Sequence, residues 1–197
     1  MGYLISFLIA VLLAIFTAWI QYYSWFKKER FKFESKEEDI ALTLVNEISE
    51  LAHMRIHKQR EQVWNIRNNN YSQEVEQEYR KAVVSWNEKI GGFMSKLDYS
   101  FSREEVSFFE NFIHRKFYRI HCEMVLIKES KANTLSLSQL EEELNRLGSE
   151  VVYFVRRLMG KVRRKDYSTL TLNKKVSFGN RSKLTCEYLV LRLFGLD

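Results

Sequence analysis

The first 26 residues carry no charged side chain, and their apolar pattern predicts a membrane-spanning helix. Residues 3–20 form an apolar run interrupted only by Ser6 and Thr17. As a helix this run covers roughly 27 Å, close to the ~30 Å hydrocarbon thickness of a bilayer. A cleaved signal peptide would instead have basic residues ahead of a shorter apolar stretch. We therefore predict one uncleaved N-terminal anchor at residues 1–26.

Aromatic and then basic side chains follow the apolar run, as is typical of a membrane–water interface. The aromatic residues are Trp19, Tyr22, Tyr23, Trp25 and Phe26. The basic residues are Lys27, Lys28, Arg30 and Lys32, within a juxtamembrane segment at 27–35. By the positive-inside rule, these cations predict that the N-terminus lies outside and the C-terminal domain in the cytosol. The expected location is the cell (inner or plasma) membrane, with anionic lipid headgroups as the first partner.

The remainder, residues 36–197, contains four segments whose apolar residues recur at steps of three and four, which predicts amphipathic helices. The first segment, 36–67, is expected to bury Ile40, Leu44, Ile48, Leu51, Ala52, Val63 and Ile66. The second, 72–97, is expected to bury Val75, Tyr79, Ala82, Trp86, Ile90, Phe93 and Leu97. The third is expected to bury Val106, Phe109, Ile113, Phe117, Ile120, Met124 and Ile127. The fourth is expected to bury Leu140, Leu144, Leu147, Val151, Phe154, Leu158 and Val162.

The fold class predicted from this pattern is all-α: a transmembrane helix followed by an antiparallel bundle of about four long helices. Proline is absent, and nothing in residues 31–38 breaks a helix, so the anchor is expected to continue into the first bundle helix. Asn68, Asn69 and Asn70 predict a tight connection to the second helix. Ser102 with Glu105, and Ser138 with Glu141, match the capping-box spacing. A small hairpin around 170–178 and a C-terminal helix at 182–194 complete the prediction.

Charge is distributed unevenly, with net +3 over residues 27–36, −5 over 37–155 and +9 over 156–183. A basic cluster lies at the end of the fourth helix: Arg156, Arg157, Lys161, Arg163, Arg164 and Lys165. Cations complement a helix C-terminus, but six exceed what capping requires. Because the protein is tethered to a bilayer, we expect the cluster to contact anionic headgroups. Nucleic acid is the less favoured partner for the same charges.

Small residues recur along the membrane helix every fourth position: Gly2, Ser6, Ala10, Ala14 and Ala18. Lipid is as apolar as leucine, so membrane helices associate where small side chains permit close backbone approach. The ridge favours a homo-oligomer through the membrane helix. Plain composition explains it equally well, because alanine is common in such helices.

The sequence contains no phosphate-binding glycine loop, nucleophile elbow or paired cysteines. His53 and His57 are four residues apart, a spacing that allows two imidazoles to share a metal. They lie opposite the apolar stripe of their helix, which favours exposed surface histidines. We accordingly predict neither a metal nor a cofactor.

One short motif points to catalysis. Arg115, five intervening residues and His121 resemble the catalytic motif of HEPN-type ribonucleases, which are small helical bundles. The resemblance covers seven residues, and it implies RNA cleavage by the two side chains without a metal, usually completed by a second protomer. Arg115 is followed by Lys116 rather than the family's polar neighbour. Helix geometry places Arg115 opposite the core and His121 at its flank.

The sequence thus favours a non-enzymatic, membrane-anchored helical bundle that acts by self-association or partner binding. A tethered ribonuclease and a membrane-disrupting effector are the alternatives. The protein partner is not identified by these residues.

Overall fold

The computed structural model describes residues 2–70, 72–129, 135–164 and 166–167, the side chains at 2 and 33 excepted. Within these ranges the chain is almost entirely helical and has no strand, so the all-α prediction is confirmed. The elements are α1 (Gly2–Arg67), α2 (Gln73–Ser100), α3 (Arg103–Phe108), a π-helical segment (Phe109–His114), α4 (Arg115–Lys128) and α5 (Leu137–Arg163). The predicted hairpin and C-terminal helix lie outside the described residues.

Helix α1 is one continuous element, as expected from a stretch without proline or an interior glycine. It contains the N-terminal apolar run and the first amphipathic segment. The chain divides into two compact units, Met1–Asp39 and Ile40–Asp197. The described residues from Ile40 onward are hereafter termed the body.

The body has one hydrophobic core, to which every helix contributes. All seven predicted positions of α5 are buried, from Leu140 to Val162. Trp86 of α2 lies in the aromatic centre, where its ring contacts those of Phe93, Phe109 and Phe117. Such burial is the main source of stability for helices that would be marginal alone.

One predicted core position is wrong. Ile40 is 40% exposed although Ala41 and Leu44 beside it are buried, because it lies at the edge of the buried face of α1. Four other predicted positions are only partly buried: Val75, Ile90, Val106 and Ile127. The last three pack against the core.

The helix ends follow local side-chain chemistry. Asn69 has a positive φ of 49°, a conformation that asparagine tolerates, and thereby allows the tight connection between α1 and α2. Ser72 and Ser102 accept hydrogen bonds from the backbone at the starts of α2 and α3. The predicted Ser138–Glu141 capping box is wrong, because Ser136 and Gln139 form the box of α5 two residues earlier.

The third predicted helix has an irregular centre. α3, the π-helical segment and α4 follow one another with helical backbone angles at each junction. The π-helical segment widens one turn between Phe109 and His114 while Phe109 and Ile113 remain buried. Such segments occur often at functional sites, so the residues around this turn are of particular interest.

Candidate functional site

The apolar part of α1 is uncovered. Within it, an 18-residue window has a mean hydropathy of 2.5, and none of that window is buried by the protein. By length and composition, α1 contains one stretch that is able to cross a membrane. The predicted ridge residues Ser6, Ala10, Ala14 and Ala18 are exposed on this helix.

The juxtamembrane cations of α1 make local contacts. The ammonium of Lys27 lies 4.8 Å from the centre of the Tyr23 ring. Arg30 binds Glu34 at 3.1 Å and Lys32 binds Glu29 at 2.8 Å. These pairs join exposed or half-exposed groups and add little stability.

The predicted basic cluster of α5 divides into two sets. Arg156, Arg163 and Arg164 are exposed, whereas Lys165 lies outside the described residues. Arg157 and Lys161 instead point toward α3, where both bind the carboxylate of Glu105.

Glu105 is fully buried, and one of its oxygens accepts from Nε of Arg157 at 3.0 Å and from Nζ of Lys161 at 2.7 Å. Burial acts to lower the pKa of Arg157, but attraction and hydrogen bonds from Glu105 and Glu104 outweigh it and raise that pKa. Glu105 does not complete a capping box with Ser102, whose backbone N–H donates to the carbonyl of Leu97 instead. Two of the six cations thus have a structural role in the body.

A buried polar centre lies where α1, α2 and α4 meet. Arg55 is only 3% exposed, and its guanidinium lies over two aromatic rings, 4.7 Å from the Phe117 centroid and 5.5 Å from that of Trp86. Cation–π contacts stabilise a guanidinium, but they accept no N–H group. The Nε and Nη1 atoms of Arg55 have no hydrogen-bond partner among the described residues.

Gln59 is the second polar side chain of this centre. It is fully buried one helical turn after Arg55, and its Nε2 donates to the carbonyl of Phe117 at 3.3 Å. Its Oε1 is buried and has no donor among the described residues. In this centre, the Arg55 donors Nε and Nη1 and the Gln59 acceptor Oε1 therefore have no hydrogen-bond partner among the described residues.

Two half-buried histidines border the same centre. The Trp86 indole donates to Nδ1 of His114 at 3.1 Å, which places the imidazole proton of neutral His114 on Nε2. The Tyr79 hydroxyl lies 2.7 Å from Nδ1 of His121. The end of the π-helical segment thus holds His114, and the next turns of α4 hold His121.

Burial determines the electrostatics of these groups. It lowers the pKa of Arg55 to about 10, which leaves the guanidinium charged at neutral pH. It raises the pKa of Tyr79 to about 12 against the opposing attraction of Arg55. Burial, assisted by the positive charge of Arg55, also lowers the pKa of His114 and that of His121 below the usual 6.5. Both imidazoles are therefore neutral at pH 7.

The motif residues Arg115 and His121 lie on different parts of α4. Arg115 is exposed, whereas His121 is half-buried and engaged with Tyr79. The arginine that acts electrostatically on His121 is Arg55 of α1.

The predicted exposure of His53 and His57 is confirmed. No group of three potential ligands among His, Cys, Asp and Glu comes together in the described part of the chain. His57 instead borders a surface groove of about 530 Å³ beside the exposed Trp64. The groove has mixed charge, because Arg60, Glu61 and Glu141 also line it.

Sequence analysis missed Arg55, Gln59 and His114. Arg55 and Gln59 follow the buried Ala52 at steps of three and four, which was the available signal. Polar residues on an apolar stripe are rarely buried without a partner, so this signal marks an unusual site.

No known family model, curated protein or solved structure matches the chain.

Proposed function

We propose that this chain is a single-pass membrane protein whose body is an antiparallel helical bundle on the cytosolic face. It acts without catalysis, through self-association and partner binding at that face. The observation that carries the proposal is the uncovered apolar stretch of α1, in which no residue of the 18-residue window is buried.

Exposed apolar surface on this scale is unfavourable in water, at about 25 cal/mol per Å². A bilayer covers a helix completely and needs no backbone partner, because all its hydrogen bonds are internal. Tyr22, Tyr23 and Trp25 are exposed just after the apolar run, where aromatic side chains suit the interface. The exposed Arg156, Arg163 and Arg164 support a further contact of the body with anionic headgroups.

Self-association is supported by the ridge of Ser6, Ala10, Ala14 and Ala18, which is exposed and has four-residue spacing. Partner binding is supported by the groove beside Trp64, an aromatic side chain of a type enriched at interfaces.

Alkaline carbonate extraction of membranes tests the anchor. The natural chain should remain in the membrane pellet, whereas Leu8→Arg with Leu12→Arg should release it. Each arginine near the middle of a spanning helix costs about 2.5–3.5 kcal/mol on insertion scales. Trp64→Arg, at an exposed apolar site of the body, is the matched control and should stay in the pellet. Release of the natural chain by carbonate would refute the proposal.

The ribonuclease and the membrane-disrupting effector are the two alternatives. No contact among the described residues favours either alternative. For the ribonuclease, Arg115 is exposed and His121 binds Tyr79. RNA decay in expressing cells should be the same for the natural chain, His121→Ala and the control His53→Ala. Decay that depends on His121 would establish the ribonuclease, and loss of membrane potential on expression would establish the effector.

A further inference from the structure

One exposed surface of the body combines aromatic rings with a cation. Phe112 is 49% and Tyr153 58% exposed, and their ring centroids lie 4.8 and 6.2 Å from that of Phe108. Arg115, one turn after Phe112, is exposed and makes no ion pair among the described residues. No acidic residue lies three or four positions from it, where a helix would supply a local partner. We term Phe112, Arg115 and Tyr153 the aromatic face, a composition typical of interfaces.

The outward side of α2 has the complementary chemistry. Val84 is 54% exposed, and Glu88, one turn later, is exposed and forms no ion pair within the described part of the chain. A Cβ added at Gly91 would meet no atom within 4 Å, so the surface beside Glu88 is open. The nearby cations Arg80 and Lys81 bind glutamates of their own helix. We term Val84, Glu88 and Gly91, which share one side of α2, the acidic face.

The two faces lie at the same level along the bundle. Two hydrogen bonds join α2 to α4, and the later residue of α2 binds the earlier one of α4, so the helices are antiparallel. Because Trp86 binds His114, Glu88 is level with Phe112, each being two residues away along its helix. Arg115 is then within one helical turn, about 5.4 Å, of the level of Glu88.

The two faces point to different sides of the body. α4 lies between α2 and α5, since His114 at its start binds Trp86 of α2 and Lys116 binds Glu150 of α5. In the ranges that the structure describes, no hydrogen bond or ion pair joins the aromatic face to the acidic face. Their charges are therefore available to meet only between two bodies.

We propose that the bodies of neighbouring copies associate side by side, with the aromatic face of one copy on the acidic face of the next. Arg115 pairs with Glu88, and the rings of Phe112 and Tyr153 cover Val84. The inference rests on the proposed function, because copies anchored in one membrane have the same orientation and so keep the two faces level. The shared membrane also raises the effective concentration of the bodies.

Charge determines which faces meet. A two-fold contact of two aromatic faces would bring Arg115 against Arg115 of the second copy, and like charges at an interface are strongly disfavoured. A contact of unlike faces leaves one of each free on every pair of copies. Such a contact extends to a ring or a row rather than stopping at a dimer.

Disulfide crosslinking of the full chain in membranes tests the proposal, with Cys122 and Cys186 replaced by serine. Val84→Cys reports on the acidic face, and Ser149→Cys reports on the aromatic face, because exposed Ser149 lies one turn before Tyr153 and leaves both rings intact. Both cysteines in one chain should give a ladder of dimers, trimers and larger species on oxidation. Either cysteine alone should give almost none. Val84→Cys with Trp64→Cys, an exposed position outside both faces, is the matched control and should give no ladder.

Charge reversal in the two-cysteine chain tests the predicted pair. Arg115→Glu or Glu88→Arg alone should reduce the ladder by roughly tenfold, because each places like charges together. The two reversals combined should restore it. Arg103→Glu, at an exposed arginine outside the aromatic face, should leave the ladder unchanged.

The anchor is scored separately, by retention of each variant in the carbonate-washed pellet. Release from the pellet would refute the proposed function, whereas a retained chain without a ladder would overturn this inference alone. A ladder that ignores Arg115→Glu, or dimers from a single cysteine, would also overturn it. The purified chain in phosphatidylcholine vesicles should still give the ladder. A ladder found in cells but not in these vesicles would assign the faces to another molecule and overturn the proposal.

Discussion

The hydroxyl of Tyr79 lies 2.7 Å from Nδ1 of His121, and this hydrogen bond joins α2 to α4 beside the buried Arg55. Tyr79 is buried and His121 is half-buried, so water does not easily replace this hydrogen bond. The contact holds His121, the histidine of the motif that resembles the HEPN-type one, in the polar centre of the body. Burial of His121 in this centre makes the stability of the body depend on pH.

Stability should fall in mildly acidic solution. Burial and the charge of Arg55 lower the pKa of His114 and His121 in the folded chain, while Glu110 opposes this at His114. The unfolded chain, with histidine pKa values near 6.5, therefore binds more protons as the pH falls. The free energy of unfolding is retained above pH 6.5 and decreases as the pH falls through 6.5 toward the folded pKa values.

Urea denaturation of the full chain at about pH 7.5 and about pH 5.5 measures this effect. Both values lie above the range in which most carboxylates titrate. A variant with His114→Gln and His121→Gln should lose much of the dependence, whereas one with the exposed His53 and His57 replaced should retain it. A natural chain equally stable at both values would contradict the burial of the two imidazoles.

Trp86→Ala should strongly destabilise the body. The Trp86 side chain is fully buried among aromatic rings, and such a truncation costs about 3–5 kcal/mol. Trp64 is 58% exposed, so Trp64→Ala should change the free energy of unfolding by less than about 0.5 kcal/mol. Equal effects of the two substitutions, measured by urea denaturation, would show that α2 packs differently.

Sequence periodicity predicted the core where the apolar stripe is long and faces neighbours along its whole length, as in α5. It failed at Ile40, because periodicity does not show how wide the buried face is, and Ile40 lies at its edge beside the buried Ala41. The cap of α5 was misplaced since Ser136–Gln139 and Ser138–Glu141 both fit the capping spacing, and only the actual helix start distinguishes them. Arg55 was missed because charged side chains are expected outside, and the contacts that hold it come from α2 and α4.

The α5 cations should separate into two functional sets. A fragment beginning near Lys36 is expected to fold alone, because its apolar stripes bury one another. Charge reversal at Arg156, Arg163 and Arg164 should weaken flotation of this fragment with anionic liposomes, with a steep salt dependence and little change in stability. Equal binding to neutral and anionic vesicles would remove the lipid contact.

Glu105→Gln tests the other set of α5 cations, Arg157 and Lys161, which bind Glu105. It leaves Arg157 and Lys161 without their shared carboxylate, which should lower the free energy of unfolding by about 2–4 kcal/mol. This loss is smaller than for a fully buried pair, because Arg157 and Lys161 are partly exposed. Liposome binding by the folded fraction should not weaken. Unchanged stability would show that the pairs contribute nothing.

Self-association through the membrane helix should depend on the small-residue ridge. Ala14→Ile places a branched side chain on the ridge and should reduce crosslinked dimers in a bilayer, because the helices can no longer approach closely. Leu13→Ile, on a neighbouring face, keeps the volume and should leave the yield unchanged. Identical yields for the natural chain and Ala14→Ile would assign any oligomer to the body.

The orientation of the chain in the membrane tests the central claim most directly. Paired reporters should be fused after Asp197: a fluorescent protein that matures in the cytosol and an alkaline phosphatase that is active only outside. With the cations at 27–32 holding their side of the helix inside, the fluorescent fusion should be bright and the phosphatase fusion inactive. An active phosphatase with a dark fluorescent fusion would contradict the account, because it would place the body outside the cell.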